Sequence, residues 1–129
     1  MDSDILVVDD SAAIRKILTR VLRQTGMAIQ TIHEAGDGEE ALTVLRAHKV
    51  DLVLSDINMP KMDGLQLLAS LKASPQWNTI PVVMVTTEGG ETKVAEAVKL
   101  GASGYVRKPF TADQIKEKLV GILEPAPTL

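Results

Sequence analysis

Asp9, Asp10 and Asp56 are the residues of this chain best suited to hold a cation, and each follows a short apolar run. Ile5-Leu6-Val7-Val8 leads into Asp9-Asp10, and Leu52-Val53-Leu54-Ser55 leads into Asp56. Val82-Val83-Met84-Val85 leads into Thr86-Thr87, and Gly104-Tyr105-Val106-Arg107 leads into Lys108-Pro109. Converging carboxylates repel one another unless a cation joins them. Hard oxygen ligands without His or Cys beside them favour Mg²⁺, which accepts one or two carboxylates plus a phosphate oxygen. One carboxylate is then free to attack phosphorus, as aspartate does when it acts as a nucleophile. Lys108 supplies a point cation for the transferred phosphoryl group, and Thr86 a hydroxyl for one of its oxygens. The chemistry these residues would perform together is phosphorylation of an aspartate, catalysed mainly by positioning and electrostatics.

Such a cluster forms only if the four runs are parallel neighbours whose carboxyl ends share one sheet edge, where open α/β sheets bind their ligands. Each run is short and lacks polar alternation, as strands covered on both faces require. Helical periods separate them. Ile14, Ile17, Leu18, Val21 and Leu22 form one apolar stripe, which Gly26 is placed to end. A second helix begins at Asp37 with Glu40 as capping-box partner, and carries Ala41, Leu42, Val44 and Leu45. A third begins at Asp63 with Gln66 as partner, and carries Leu65, Leu68 and Leu71. A fourth covers about 91–100, buries Val94, Ala97 and Val98, and ends at Gly101. A fifth begins at Thr111 with Gln114 as partner, and presents Ile115, Leu119 and Ile122. Residues 29–35 supply a partly polar strand suited to a sheet edge. The expected fold is α/β, a (βα)₅ unit with a parallel sheet and helices on both faces. Residues 1–129 read as one domain with a core of about 4–123 and a frayed tail at 124–129.

Composition narrows the function. The chain has no Cys, which excludes disulfides, thiolate metal sites and cysteine nucleophiles. Fourteen basic and seventeen acidic residues leave a net charge of -3, which argues against a nucleic-acid partner. Trp77, Tyr105 and Phe110 are the only aromatics, too few for a base-stacking platform. No apolar stretch approaches the ~20 residues of a membrane span, and the acidic start, Met1-Asp2-Ser3-Asp4, is unlike a signal peptide. The expectation is a cytoplasmic protein.

The combination of Asp9-Asp10, Asp56, Thr86, Tyr105 and Lys108-Pro109-Phe110 resembles the receiver domain of two-component response regulators. Asp56-Ile57-Asn58-Met59-Pro60 with Met62-Asp63-Gly64, and Gly101-Ala102-Ser103-Gly104-Tyr105, add to the likeness, which spans about 4–123. The resemblance implies a flavodoxin-like sheet of order 2-1-3-4-5. It implies Mg²⁺-dependent transfer from a histidine kinase or histidine phosphotransfer protein to Asp56. Asp10 and Asp56 would then bind the metal directly, Asp9 through water and Asn58 through its backbone carbonyl. It also implies a switch in which phosphorylation draws Thr86 inward and turns Tyr105 from exposed to buried. That motion reshapes the face of the fourth helix, fifth strand and fifth helix. By the same resemblance Asn58, Thr87 and Glu88 tune hydrolysis, with Thr87 bulkier than the residue common in relatives. Ile14, Ile17 and residues 11–13 would dock the phosphodonor, and the Lys108–Pro109 peptide would be cis. Gly89-Gly90 adds backbone freedom ahead of the fourth helix.

Simpler roles suit other residues. Gly64 and Met59-Pro60 read as turn residues, His33 and His48 as solvated or packed, and Trp77 as a cover for the loop before the fourth strand. The expected protein is a stand-alone, monomeric, chemotaxis-type switch, with dimerisation on phosphorylation as a further state. The close alternative is an intermediate carrier in a phosphorelay. An aspartyl-phosphate phosphatase would need an acid where Asn58 stands, and a flavin carrier would need a hydroxyl- and glycine-rich loop where Asp9-Asp10 stands. A pseudo-receiver that only binds partners would not need the acidic cluster.

Overall fold

A computed structural model describes residues 3–86, 91–108 and 110–123. Strands and helices alternate as β1 (Ser3–Val8), α1 (Ala12–Gln24), β2 (Ile29–Ala35), α2 (Gly38–Ala47) and β3 (Leu52–Asp56). They continue as α3 (Gly64–Lys72), β4 (Val82–Thr86), α4 (Glu91–Leu100), β5 (Gly104–Arg107) and α5 (Ala112–Leu123). The five strands form one parallel sheet in the order β2-β1-β3-β4-β5, a flavodoxin-like arrangement.

The central strands are buried on both faces, and their side chains divide between two cores by period-two alternation. Leu6, Val8, Val53, Val82 and Met84 meet Ala41 and Leu45 of α2, Leu67, Leu68 and Leu71 of α3, and Ala97 of α4. Ile5, Val7, Leu52, Leu54, Val83 and Val85 meet Leu18, Val21 and Leu22 of α1 and Ile115 and Leu119 of α5. β2 is half-exposed or exposed as far as Glu34, with Ala35 buried, and lies at the sheet edge, in keeping with its mixed composition.

The helix starts follow local chemistry. Ser11 caps α1 by accepting from the Ile14 N–H. Asp63 and Gln66 form the reciprocal capping box at α3, at 2.8 and 3.0 Å, and Thr111 and Gln114 do the same at α5. At α2 the expected box is only half present. Asp37 accepts from the Glu40 N–H, but the Glu40 carboxylate reaches past it to accept from the Gly36 N–H at 3.0 Å. Gly26 and Gly101 take the left-handed backbone that ends α1 and α4.

One burial expectation is corrected: Val98 is 58% exposed, because Ala97 takes the inward position on α4. Ile17 is exposed beside the buried Leu18. Leu67 is fully buried, widening the α3 stripe beyond Leu65, Leu68 and Leu71. His33 and His48 stack with ring centroids 4.5 Å apart, and Trp77 packs half-buried against the core beside Ile80.

Candidate functional site

The register of the sheet sets the site. Val8 of β1 pairs with Ser55 of β3, so Asp9 and Asp10 leave β1 beside Asp56, the last residue of β3. Thr86 of β4 pairs with Arg107 of β5, which brings Lys108 to the same edge. Asp9, Asp10 and Asp56 each offer a carboxylate oxygen to one point, these atoms lying within 4.8 Å of one another. Asp9 is buried, Asp56 is partly buried and Asp10 is exposed.

Lys108 joins the cluster from the end of β5. Its Nζ donates to Asp9 Oδ2 at 3.0 Å and stands 3.8 Å from Asp56 Oδ2. The second Asp9 oxygen accepts from the Ser11 N–H at 2.9 Å, and Asp56 Oδ1 accepts from the Ile57 N–H at 2.8 Å. Burial raises the Asp56 carboxyl above its ordinary value of 3.8. Lys108 draws it back down, Asp9 raises it again, the Ile57 N–H lowers it, and Asp10 adds a last upward push. Among the described residues, the Lys108 ammonium faces three carboxylates, which leaves the cluster net negative.

This donor set fits Mg²⁺. All three ligating groups are hard oxygens, and one of them is exposed, leaving a side open to water and a phosphate oxygen. With such an ion bound, the site gains the charge that offsets carboxylate repulsion and polarises a phosphoryl group.

The backbone around Asp56 is held closely. Gly64 donates its N–H to the Ile57 carbonyl at 2.8 Å, and a Cβ on Gly64 would collide with the Asp56 carbonyl oxygen. Gly64 is therefore a close-approach position that seats the start of α3 against the end of β3. Arg15 of α1 also reaches the loop after β1. Its Nη1 donates to the Asp9 carbonyl at 2.6 Å and its Nε to Glu34 at 3.0 Å, pinning the loop that carries the acidic pair. Lys93, near the start of α4, donates to Asn58 Oδ1 at 2.6 Å. These contacts join residues 6, 19 and 35 apart, separations that match no local repeat.

Tyr105 lies on β5, 41% exposed, with Lys118 Nζ of α5 5.7 Å from its ring centroid. A cleft lined by Tyr105, Arg107, Gln114, Glu117 and Lys118 opens on one side of it. Val94 and Ala95 of α4 line a second hollow on the other side. Thr87, Glu88, the Gly89-Gly90 pair, Pro109 and the tail at 124–129 lie outside the described residues.

The comparisons with known proteins agree with this geometry. The family model of the response regulator receiver domain matches residues 5–120. Chemotaxis protein CheY-3 of Vibrio cholerae is 41% identical over 120 residues, covering 93% of this chain and 91% of the relative. Chemotaxis protein CheY of Pseudomonas aeruginosa is also 41% identical over 120 residues, covering 93% of this chain and 95% of its own. The crystal structure of Vibrio cholerae chemotaxis protein CheY4 superimposes with a TM-score of 0.82 at 32% identity, covering 92% of this chain and 97% of that one. Sequence match, strand order and acidic edge converge on one conclusion: the chain belongs to the response regulator receiver family, with CheY-type chemotaxis proteins among its relatives.

Proposed function

We propose that this receiver accepts a phosphoryl group on Asp56 from the phosphohistidine of a histidine kinase or phosphotransfer protein, in an Mg²⁺-dependent reaction. The observation that carries the reading is the meeting of Asp9, Asp10 and Asp56 at one point with Lys108 between Asp9 and Asp56. An Asp56 oxygen attacks phosphorus, the P–N bond to the donor imidazole breaks, and the released imidazole takes up a proton. Asp10, Asp56 and the Asn58 carbonyl would hold the metal directly and Asp9 through water. Lys108 is placed to contact the transferred group, exchanging part of its Asp9 bond for a phosphoryl oxygen. Hydrolysis reverses the state: water attacks phosphorus, inorganic phosphate leaves and the Asp56 carboxylate returns.

In this reading residues 1–129 act as one receiver unit in the cytoplasm. Phosphorylation would draw Thr86 toward the acceptor and turn Tyr105 inward, changing what the face of α4, β5 and α5 binds. The exposed Tyr105 and the clefts on both sides of it support that face as the output. The names of the 41%-identical relatives favour chemotaxis-type output over a phosphorelay carrier.

The test is transfer from a radiolabelled phosphorylated histidine kinase. Label should move to this chain with Mg²⁺ and fail to move in EDTA; transfer equally fast in EDTA would defeat the reading. A pull-down with and without beryllofluoride then identifies partners bound only by the activated form.

A further inference from the structure

Every polar group of Asp9 is engaged, by partners drawn from β2, α1 and the end of β5. Its N–H donates to the Ala35 carbonyl at 3.1 Å, and one carboxylate oxygen accepts from Lys108 at 3.0 Å. The other oxygen accepts from the Ser11 N–H at 2.9 Å, and the main-chain carbonyl accepts from Arg15 Nη1 at 2.6 Å. Of these partners, Arg15 is the one side chain with no part in the proposed phosphoryl chemistry. Its Nε donates at 3.0 Å to Glu34, which stands beside Val7 on the edge strand. The Arg15 side chain is only 20% exposed, so water competes little for either bond. One planar guanidinium thus serves two acceptors in directions that its fork fixes, and ties the loop of Asp9 and Asp10 to β2.

We propose that Arg15 is a positioning residue that sets the affinity of the acidic edge for Mg²⁺, and that Glu34 acts through it. This inference rests on the reading of Asp9, Asp10 and Asp56 as the metal site. Carboxylate oxygens within 4.8 Å of one another repel, and a loop free to relax would let them part. An arriving ion would then have to gather them again, at a cost to its affinity. Held by Arg15, the loop keeps the carboxylates together beforehand. Charge and position pull in opposite directions here. A guanidinium beside the cluster repels a divalent cation, so its removal tightens Mg²⁺ binding if charge alone acts. Its removal weakens binding if its two bonds hold the loop.

The experiment titrates Mg²⁺ into the unphosphorylated protein by isothermal calorimetry, with denaturant unfolding of each variant run alongside without the ion. Arg15→Met should weaken Mg²⁺ binding by about tenfold, the low end of what losing the support behind a metal ligand costs. Arg15→Lys keeps the charge but loses the fork, and should fall between wild type and Arg15→Met. Glu34→Gln still offers an oxygen to Nε and should bind nearly as wild type does, whereas Glu34→Ala should bind more weakly. Arg15→Met with Glu34→Ala should be no worse than Arg15→Met alone. Lys16→Met, which removes an exposed cation one residue along α1, should leave the affinity unchanged. Tighter binding by Arg15→Met overturns the inference, because charge would then be the whole effect. A lower unfolding midpoint with unchanged Mg²⁺ affinity in Arg15→Met and Glu34→Ala also overturns it, leaving the pair a role in stability alone. Wild-type protein that binds no Mg²⁺ defeats the metal-site reading itself, whereas equal binding by wild type and variants defeats only the role of Arg15.

Discussion

Lys108 Nζ stands 3.0 Å from Asp9 Oδ2, joining residues 99 apart in the chain across the carboxyl edge of the sheet. Asp9 is 1% exposed, so its charge depends on this partner and on the Ser11 N–H. The same ammonium lies 3.8 Å from Asp56 and tempers the repulsion between the two carboxylates.

Removing that cation separates two effects. Lys108→Met leaves a buried carboxylate oxygen without its donor and should cost roughly 1–3 kcal/mol in denaturant unfolding without Mg²⁺. The uncompensated carboxylates should then bind the ion more tightly, so Mg²⁺ raises the melting temperature of Lys108→Met more than that of wild type. Phosphorylation by acetyl phosphate should fall by at least about tenfold, because the cation proposed to contact the transferred group is gone. An equal Mg²⁺ response in both proteins would contradict this electrostatic balance.

Burial raises the Asp56 carboxyl, and the sign of its effect on stability follows. Below its unfolded value of 3.8 the group is protonated in both states and carries no penalty. As pH rises through the higher folded value, the native state must hold a partly desolvated charge and stability is lost. Asp56→Asn should therefore melt higher than wild type at pH 7 without Mg²⁺. The difference should close below pH 4. A lower melting temperature for Asp56→Asn at pH 7 would reverse the assignment.

Two glycines should respond in opposite directions. Gly64→Ala drives a methyl group into the Asp56 carbonyl and should destabilise by roughly 1–3 kcal/mol while displacing the loop after β3. Gly121, inside α5, has open space around its missing Cβ, so Gly121→Ala should stabilise by about 0.5–1 kcal/mol through helix propensity alone. Chemical denaturation of both variants checks the pair.

Much of this was legible in the amino-acid order because the relevant signals are local. The apolar runs ending in Asp9, Asp56 and Lys108 forecast a shared edge, and the edge gathers them within contact distance. The boxes at Asp63 and Thr111 need only three-residue spacing, and both formed. Glu40 departed from its box because the preceding turn brings the Gly36 N–H within its reach. Val98 was misplaced because periodicity marks a helix stripe without fixing how far it turns toward the sheet. Arg15 and Lys93 were invisible as site residues for a related reason. Their contacts with the Asp9 carbonyl and with Asn58 depend on side-chain reach between elements, which no spacing encodes.

The most direct measurement is peptide mapping by mass spectrometry after treatment with acetyl phosphate and Mg²⁺, with borohydride reduction to mark the acyl phosphate. The modification should fall on Asp56 in wild type, require Mg²⁺, and be missing from Asp56→Asn, whose fold stays intact by circular dichroism. Modification at another residue in wild type, or undiminished labelling of Asp56→Asn, would show that the acidic edge serves some other chemistry.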